Sequence, residues 1–425
     1  MPNKLRNFRT LGVLLLAAVA CTREPLDVAF VPGGGLPVAS DVPVAFAVGG
    51  QPTKGQAPIT TLAALAAQDF SVSAWYSPEG EIFDGVHSVK YFANHRFGYV
   101  TSDLAGETTF PNAWQGVAPH GTAGLVNANP VYWPVDGTLS FFCYAPYREG
   151  DADIVLEDPV SDAGVAARLP DYLPGSPLIR VTPPETAASQ FDFLASPALL
   201  DRSRHDDAGR FPLDFSRHRM TQVEFGFNYS GTLVNDDVLN IHEKVRVTSV
   251  EIQDVIGSKY LYFTRSSLPS AECDWSGLVS PADPSGDDFP KASYRISSAG
   301  GELKTGLDAN LPEQGSGTYL TVRKEDNLDG LFFLLPQTIP AGARLVVSYN
   351  IVDDYAGVRG SEVVTVPLCS DPPTDNPALT VWPEGKKVRY LITLKIPNRG
   401  FPAMTAKYYD WEDSNNQHPG QELMY

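Results

Sequence analysis

The chain has 425 residues and a formal net charge of −18, with an isoelectric point near 4.7. Such acidity excludes a nucleic-acid partner, because phosphate binding needs a basic surface. Gly and Pro, 36 of each, are scattered along the chain, so they punctuate short segments of a chain long enough for two or three cores.

The amino terminus reads as a targeting segment. Lys4, Arg6 and Arg9 precede an apolar stretch from Leu11 to Ala20, and Cys21 follows. A basic start and so short an apolar run fit a signal peptide and are too short to span a bilayer. Ala18-Val19-Ala20-Cys21 resembles a bacterial lipobox, with Ala18 where Leu is usual. Residues 1–20 are therefore expected to be removed, and Cys21 to carry acyl chains that hold the protein at a membrane surface. Cys143, Cys273 and Cys369 remain, an odd number that allows one internal disulfide at most. The expected pair is Cys273 with Cys369, because Cys143 lies within the apolar run Phe141–Tyr144 and reads as buried.

The first clear strand is Phe70–Tyr76, where Phe70, Val72, Ala74 and Tyr76 alternate with serines, the pattern of a half-buried strand. Leu139–Ala145 alternates too, but carries aromatic residues on both faces and so is expected to be covered on both sides. Val223, Phe225, Phe227 and Tyr229 form a third alternation. Further strands are predicted over 245–256, 260–264, 331–335, 344–351, 362–368 and 388–396, with turn residues between them. Many short strands with such turns predict sandwiches and not a doubly wound sheet. The polar stretch 201–209 is the linker candidate. It gives an anchor and candidate removable strand over 21–54, a β-sandwich domain over 55–205 and a second one over 206–425.

Little chemistry is encoded. None of the seven histidines sits in a catalytic or zinc-binding frame, and His205 beside Asp206 and Asp207 has no nucleophile to serve. The adjacent acids Asp353 and Asp354 would point to opposite faces of a strand. The loop Asp283–Asp288 is oxygen-rich but lacks EF-hand spacing, so a polar turn is the expected reading. Gly33-Gly34-Gly35 has no strand–helix frame and reads as a linker. No catalytic residue, cofactor or metal is assigned.

Three segments carry a family resemblance. Tyr132-Trp133-Pro134 followed by Leu139–Tyr147 resembles a signature of the fimbrillin-like lipoproteins of the Bacteroidales, the subunits of type V pili. Pro212–Phe225 is similar to the strand near the start of that family's second domain. Trp382–Tyr390, with Trp411 beyond it, is similar to its carboxy-terminal strand. The resemblance implies an all-β protein of two transthyretin-like β-sandwich domains in tandem. It implies a surface lipoprotein of the outer membrane, joined to other fimbrial subunits by strand donation and supporting adhesion to a host or bacterial surface ligand. A protease would remove the first strand, and a strand from another subunit would fill the slot.

The residues can be set against that scheme. Between Cys21 and Phe70 the basic residues are Arg23 and Lys54. The alternation Val42, Val44, Phe46, Val48 lies between them, with Pro43 suiting an edge strand. Cutting after Lys54, ahead of Gly55, would release anchor and strand together from a turn-rich stretch; the other reading of Lys54 is a solvated loop residue. The segment ending at Trp411 could serve as donor strand, whereas the tail beyond it is polar, so a tip or accessory subunit fits at least as well as a structural stalk subunit. A second reading is a surface lipoprotein that never assembles and binds glycan on exposed aromatics. The six tryptophans discriminate: several of Trp75, Trp114, Trp133, Trp275, Trp382 and Trp411 should be exposed and coplanar in that case, and they should be core in the other.

Overall fold

The computed structural model describes residues 36–49, 59, 62–85, 87–100, 113–117, 130–148, 150, 152–158, 165–166, 168–169, 171–206, 210–265, 270–277, 289–297, 313, 320–321, 331–369, 379–396 and 403–410. These residues are mostly strand. The first half contains β1 (Ala39–Pro43), β2 (Ala45–Gly49), helix α1 (Leu62–Ala66), β3 (Phe70–Ser77), β4 (Val89–Val100), β5 (Ala113–Gly116), β6 (Tyr132–Pro134) and β7 (Thr138–Ala145). It continues with β8 (Ile154–Glu157), β9 (Leu178–Val181), β10 (Leu194–Ala195), β11 (Ala198–Arg202) and β12 (Arg210–Asp214). The second half opens with β13 (Thr221–Gly231), β14 (Asn235–Asp236), β15 (Ile241–Ile256), β16 (Lys259–Phe263), β17 (Ser270–Ala271), β18 (Cys273–Trp275) and β19 (Lys291–Ser297). It closes with β20 (Leu320–Thr321), β21 (Leu331–Leu334), β22 (Gln337–Thr338), β23 (Arg344–Asp353), β24 (Gly357–Pro367), β25 (Val381–Trp382), β26 (Lys386–Ile396) and β27 (Ala403–Asp410).

A nine-stranded sheet, in the order β12-β2-β5-β4-β3-β7-β11-β17 with β10 on β7, organises the first half. Both of its faces are covered. Phe70, Val72, Ala74, Phe141 and Cys143 face one apolar core, which also holds Trp133 from β6. Trp75, Phe142 and Tyr144 face another, completed by Ile179, Leu261 and Phe263 of a four-stranded sheet. That second layer corrects the half-buried expectation for β3. Ser71 and Ser73 are fully buried, and Asn94 serves them: Ser71 Oγ and Tyr144 OH donate to Asn94 Oδ1 at 2.7 Å each, and Asn94 N donates to Ser73 Oγ at 2.8 Å. The covering of β7 on both faces is as its aromatics predict.

The four-stranded sheet has the order β18-β16-β9-β8, so strands from before and after residue 205 share it. The predicted linker is itself partly strand. Asp201 and Arg202 end β11, and Asp201 Oδ1 accepts the Phe83 N–H at 2.8 Å. Burial raises the Asp201 pKa above the usual carboxylate value.

The second half is a sandwich. The sheet β20-β13-β26-β27, with β21 on β13, faces the sheet β14-β15-β23-β24, with β19 on β15. Phe225, Val247, Val347 and Tyr390 meet between them. Strand β21 joins the cores by simple alternation: Phe332 and Leu334 enter this one, while Leu331 and Phe333 enter the core above β16. On its other face, Glu224 of β13 is buried beside Arg389 Nη2 at 2.7 Å and Lys387 Nζ at 3.5 Å.

Candidate functional site

The predicted removable strand divides in two at Pro43. Proline has no N–H to continue a ladder, so pairing changes partner there. Among the described residues β1 pairs antiparallel with β6 alone, and Val44 N donates to Val131 O at 2.8 Å. Pro43 thus lies on a strand paired along one side, as its chemistry requires. β2 instead inserts between two strands. Ala45 to Gly49 pair in parallel with Arg210 to Asp214 of β12, and Ala45 and Phe46 pair antiparallel with Gln115 and Trp114 of β5.

The side chains of this segment are core residues. Val44, Ala45 and Phe46 have 1%, 0% and 0% exposure, whereas Ala47 is exposed. The Phe46 ring lies 5.2 Å from Phe141, 5.3 Å from Phe97 and 6.3 Å from Phe70, each edge-on. Taking away residues 39–49 would leave a slot lined by these rings and by Trp133. It would also free the facing backbone groups of β5, β6 and β12. A buried Phe contributes roughly 1.5–3 kcal/mol by area alone, and aromatic pairs add about 0.5–1.5 kcal/mol each. The slot can therefore hold an extended segment with an aromatic at the central inward position, recognised by backbone pairing and a matching side chain.

Downstream, the chain is held by a residue that the sequence gave no reason to single out. Asp192, its side chain 1% exposed, accepts the Ile59 N–H at 2.7 Å through Oδ2, and His218 Nδ1 lies 2.8 Å from the same oxygen. Ile59 is itself buried in the core that holds Phe46. A carboxylate among apolar residues carries no sequence signature; only the fold brings residues 59, 192 and 218 together. Nearby, the buried Arg219 donates through Nη1 to Cys273 O at 3.0 Å and Glu384 Oε1 at 2.7 Å, linking β18 to the turn before β26. Burial raises the Glu384 pKa and lowers that of Lys259.

At the other end, β27 is an edge strand among the described residues, paired there from Lys386–Asp410 to Thr393–Ala403 with β26 only. Met404, Ala406 and Tyr408 pack against the second sandwich core, so the weak alternation of that segment does present one apolar face.

Cys21, Lys54, Gly55, Trp411 and the loop 283–288 lie outside the described residues. The Cys273–Cys369 pair is not formed, and Cys143, Cys273 and Cys369 are all free thiols. Cys273 is buried in the core above β16, its pKa pushed up to about 12 by burial, and Cys369 packs against the other sandwich core. The two thiols thus belong to different apolar clusters. Trp75, Trp114, Trp133 and Trp382 are buried, at 5%, 3%, 0% and 0% exposure, and Trp275 packs partly buried against Phe193. These five make no exposed platform for a sugar. Among the described residues no group of three or more His, Cys, Asp or Glu is placed to hold a metal ion, and no helix is long and apolar enough to cross a membrane.

Residues 100–257 match the fimbrillin-like family. That stretch runs from the end of β4 to just beyond β15 and contains two of the three segments that carry the resemblance. Solved structures similar to this chain include a Bacteroides uniformis protein assigned to cell adhesion, at 13% identity and TM-score 0.40, covering 88% of this chain and 100% of that one. The tip fimbrial protein Mfa3 of Porphyromonas gingivalis is similar at 8% identity and TM-score 0.27, covering 81% and 95%. The fimbrilin FimA of the same species is similar at 9% identity and TM-score 0.30, covering 88% and 98%. No curated protein sequence matches.

Proposed function

We propose that this chain is a subunit of a surface fimbrium that accepts a strand from another subunit in place of its own first strand. Cys21 anchors the precursor to the outer membrane, and a cut after Lys54 releases the anchor together with β1 and β2. The vacated slot takes an extended segment of the next subunit, and the assembly supports adhesion. The reading includes two transthyretin-like sandwiches in tandem, no enzymatic step and no cofactor.

The observation that carries the proposal is the position of β2. It is an internal strand with a fully buried Phe46, yet it lies near the start of the chain, joined to the rest through the turn-rich residues 49–58. With β1 directly ahead of it and leaving with it, β2 can be freed by one cut downstream and replaced without unthreading the sheet. Unpaired backbone and exposed rings would then drive uptake of a substitute. The Ile59–Asp192 bond supports the same reading, since it keeps the downstream chain in place when the upstream strand leaves. The edge strand β27 is the segment available for donation; because the residues after it are polar, an accepting tip or accessory subunit fits better than a stalk.

The test is limited tryptic cleavage of the purified chain, sequencing of the new amino terminus, and an unboiled denaturing gel. A terminus at Gly55 with heat-sensitive multimers is the expected result for a donating subunit. The same terminus with capture of an added partner strand is expected for a tip subunit. A chain that stays uncut at Lys54, or that keeps β2 bound and refuses any strand after cutting, overturns the proposal.

A further inference from the structure

The fold leaves an apolar knob and an apolar cavity in places where one molecule cannot join them. The knob is built by two neighbouring hairpins, β14–β15 and β23–β24. At their tips Val238 is 93% exposed, Leu239 66% and Tyr355 74%. Large apolar side chains this exposed, clustered on one projection, mark an interaction surface.

The knob is rigid. Asp236 Oδ1 accepts the N–H groups of Val238 at 2.9 Å and Leu239 at 3.0 Å. Asp353 fixes the two hairpins to each other: Oδ2 accepts the His242 N–H at 2.8 Å, while Oδ1 accepts those of Tyr355 at 3.0 Å and Ala356 at 2.8 Å. The loop is thus held in one conformation before any partner arrives, which lowers the entropy cost of docking.

The cavity has a volume of about 270 Å³. Ile82 and Phe83 line one wall, Leu173 and Pro174 another, with Leu200 and Ala271 also facing it. A crossing of two glycines holds the walls together: a Cβ on Gly175 would lie 2.0 Å from Gly85 Cα, and both residues have positive φ. An apolar cavity of ~150 Å³ already takes a benzene, so this one has room for an aliphatic side chain and part of its neighbour. At the rim Asp84 is engaged by His87 Nδ1 at 2.7 Å. Arg265, exposed, has no acid partner among the described residues. The knob supplies the opposite charge, since the Asp237 side chain is 97% exposed.

Knob and cavity are far apart in one copy. β15 has 16 residues and so runs about 50 Å from the knob to Ile256. Beyond it comes β16, whose Phe263 O accepts the N–H of Leu173 on the cavity wall at 2.9 Å. Five residues of β16 span about 17 Å and cannot bring the chain back to the knob even by full reversal.

We infer that the Val238–Leu239 knob of one copy seats in the Ile82–Leu173 cavity of a second copy, with Asp237 meeting Arg265. Such a contact is heterologous: it repeats from copy to copy instead of closing a dimer. It needs no cleavage and no strand release, so it stands apart from strand exchange and dissolves in detergent without heating.

The test uses the uncut full chain in sedimentation velocity, with a photoactivatable benzophenone side chain at position 239 to map the contact. The expected result is a concentration-dependent series of species at roughly 100 μM, and photo-adducts on peptides containing residues 82–84, 173–174 or 265. Asp237→Arg alone and Arg265→Glu alone each weaken association roughly tenfold. An equimolar mixture of the two variants restores it, because each tip then finds a cavity of opposite charge. Both changes are at exposed positions and leave the fold intact. A chain that stays monomeric, adducts between two tips, or association indifferent to both charge changes overturns the inference.

Discussion

Phe46→Ala isolates what the first strand contributes. The substitution leaves β2 its backbone pairing with β5 and β12 and removes only the ring between Phe70, Phe97 and Phe141. Phe46 is fully buried, and such truncations cost about 3–5 kcal/mol when the cavity cannot collapse. Collapse is hindered here because the surrounding rings also pack on one another, Phe70 with Phe97 at 5.9 Å and Phe141 with Trp133 at 5.4 Å. For a unit of this size each kcal/mol lowers the midpoint by roughly 2–4 °C, so the first unit should melt some 6–20 °C lower. Calorimetry resolving the two halves, with hydrogen exchange at β3 and β7 to say which half moved, measures this. Ala47→Ser, on the exposed side of the same strand, should stay within about 0.5 kcal/mol. A loss below about 1 kcal/mol for Phe46→Ala would mean that β2 is not core and that its removal creates no strong slot. The reasoning would then fail at its first step.

Three further outcomes follow from the geometry. Asp192→Ala leaves the buried Ile59 N–H without its acceptor, so about 1–3 kcal/mol of local protection should vanish; unchanged hydrogen exchange at the Ile59 amide would refute the clamp. Arg389→Ala leaves Glu224 with the Gln222 amide at 2.8 Å and Lys387 at 3.5 Å, so the second half should lose about 2–3 kcal/mol, less than for a wholly unpaired buried charge, while replacing Arg389 and Glu224 together by Leu should recover most of it in urea unfolding. The Asp353 carboxyl is held below the usual carboxylate range by the Ala356, His242 and Tyr355 N–H groups. Its stabilisation is therefore complete above the unfolded value of about 3.9 and is lost as pH falls through the lower folded value. Amide exchange at 242, 355 and 356 should accelerate only in that acid window, and protection persisting below it would contradict the role given to Asp353.

Much of the fold was legible because alternation reports faces directly. β7 announced its two covered sides through Phe142 and Tyr144, and β13 its core side through Val223, Phe225 and Phe227. β3 was misread as half-buried because serine looks like a solvent residue until Asn94 is seen to satisfy it. The break at Pro43 was implicit in its missing N–H, but the partners on either side were not. β12 pairs with β2 across most of the first half of the chain, and no local pattern encodes so distant a neighbour. The same distance hides Asp192, whose role exists only once Ile59 and His218 arrive beside it. The cysteine pairing failed for a related reason: parity constrains how many bonds can form and says nothing about which core each thiol enters.

The parallel pairings bear on the order in which the molecule can assemble. β2 needs β12, and β13 needs β26, where Glu224 and Arg389 are 165 residues apart; Ala45 and Arg210 have the same separation. In each half, a strand near its start completes its pairing only with one of the last strands of that half to emerge from the ribosome or from a translocation channel. Contacts this distant in sequence are slow to form, because a long loop must close before they contribute. Each half consequently remains unfinished while its chain is in transit, with that strand waiting for a partner. Delivered from its amino terminus, the first half can complete this pairing once residue 214 has emerged, and the second half only once residue 396 has.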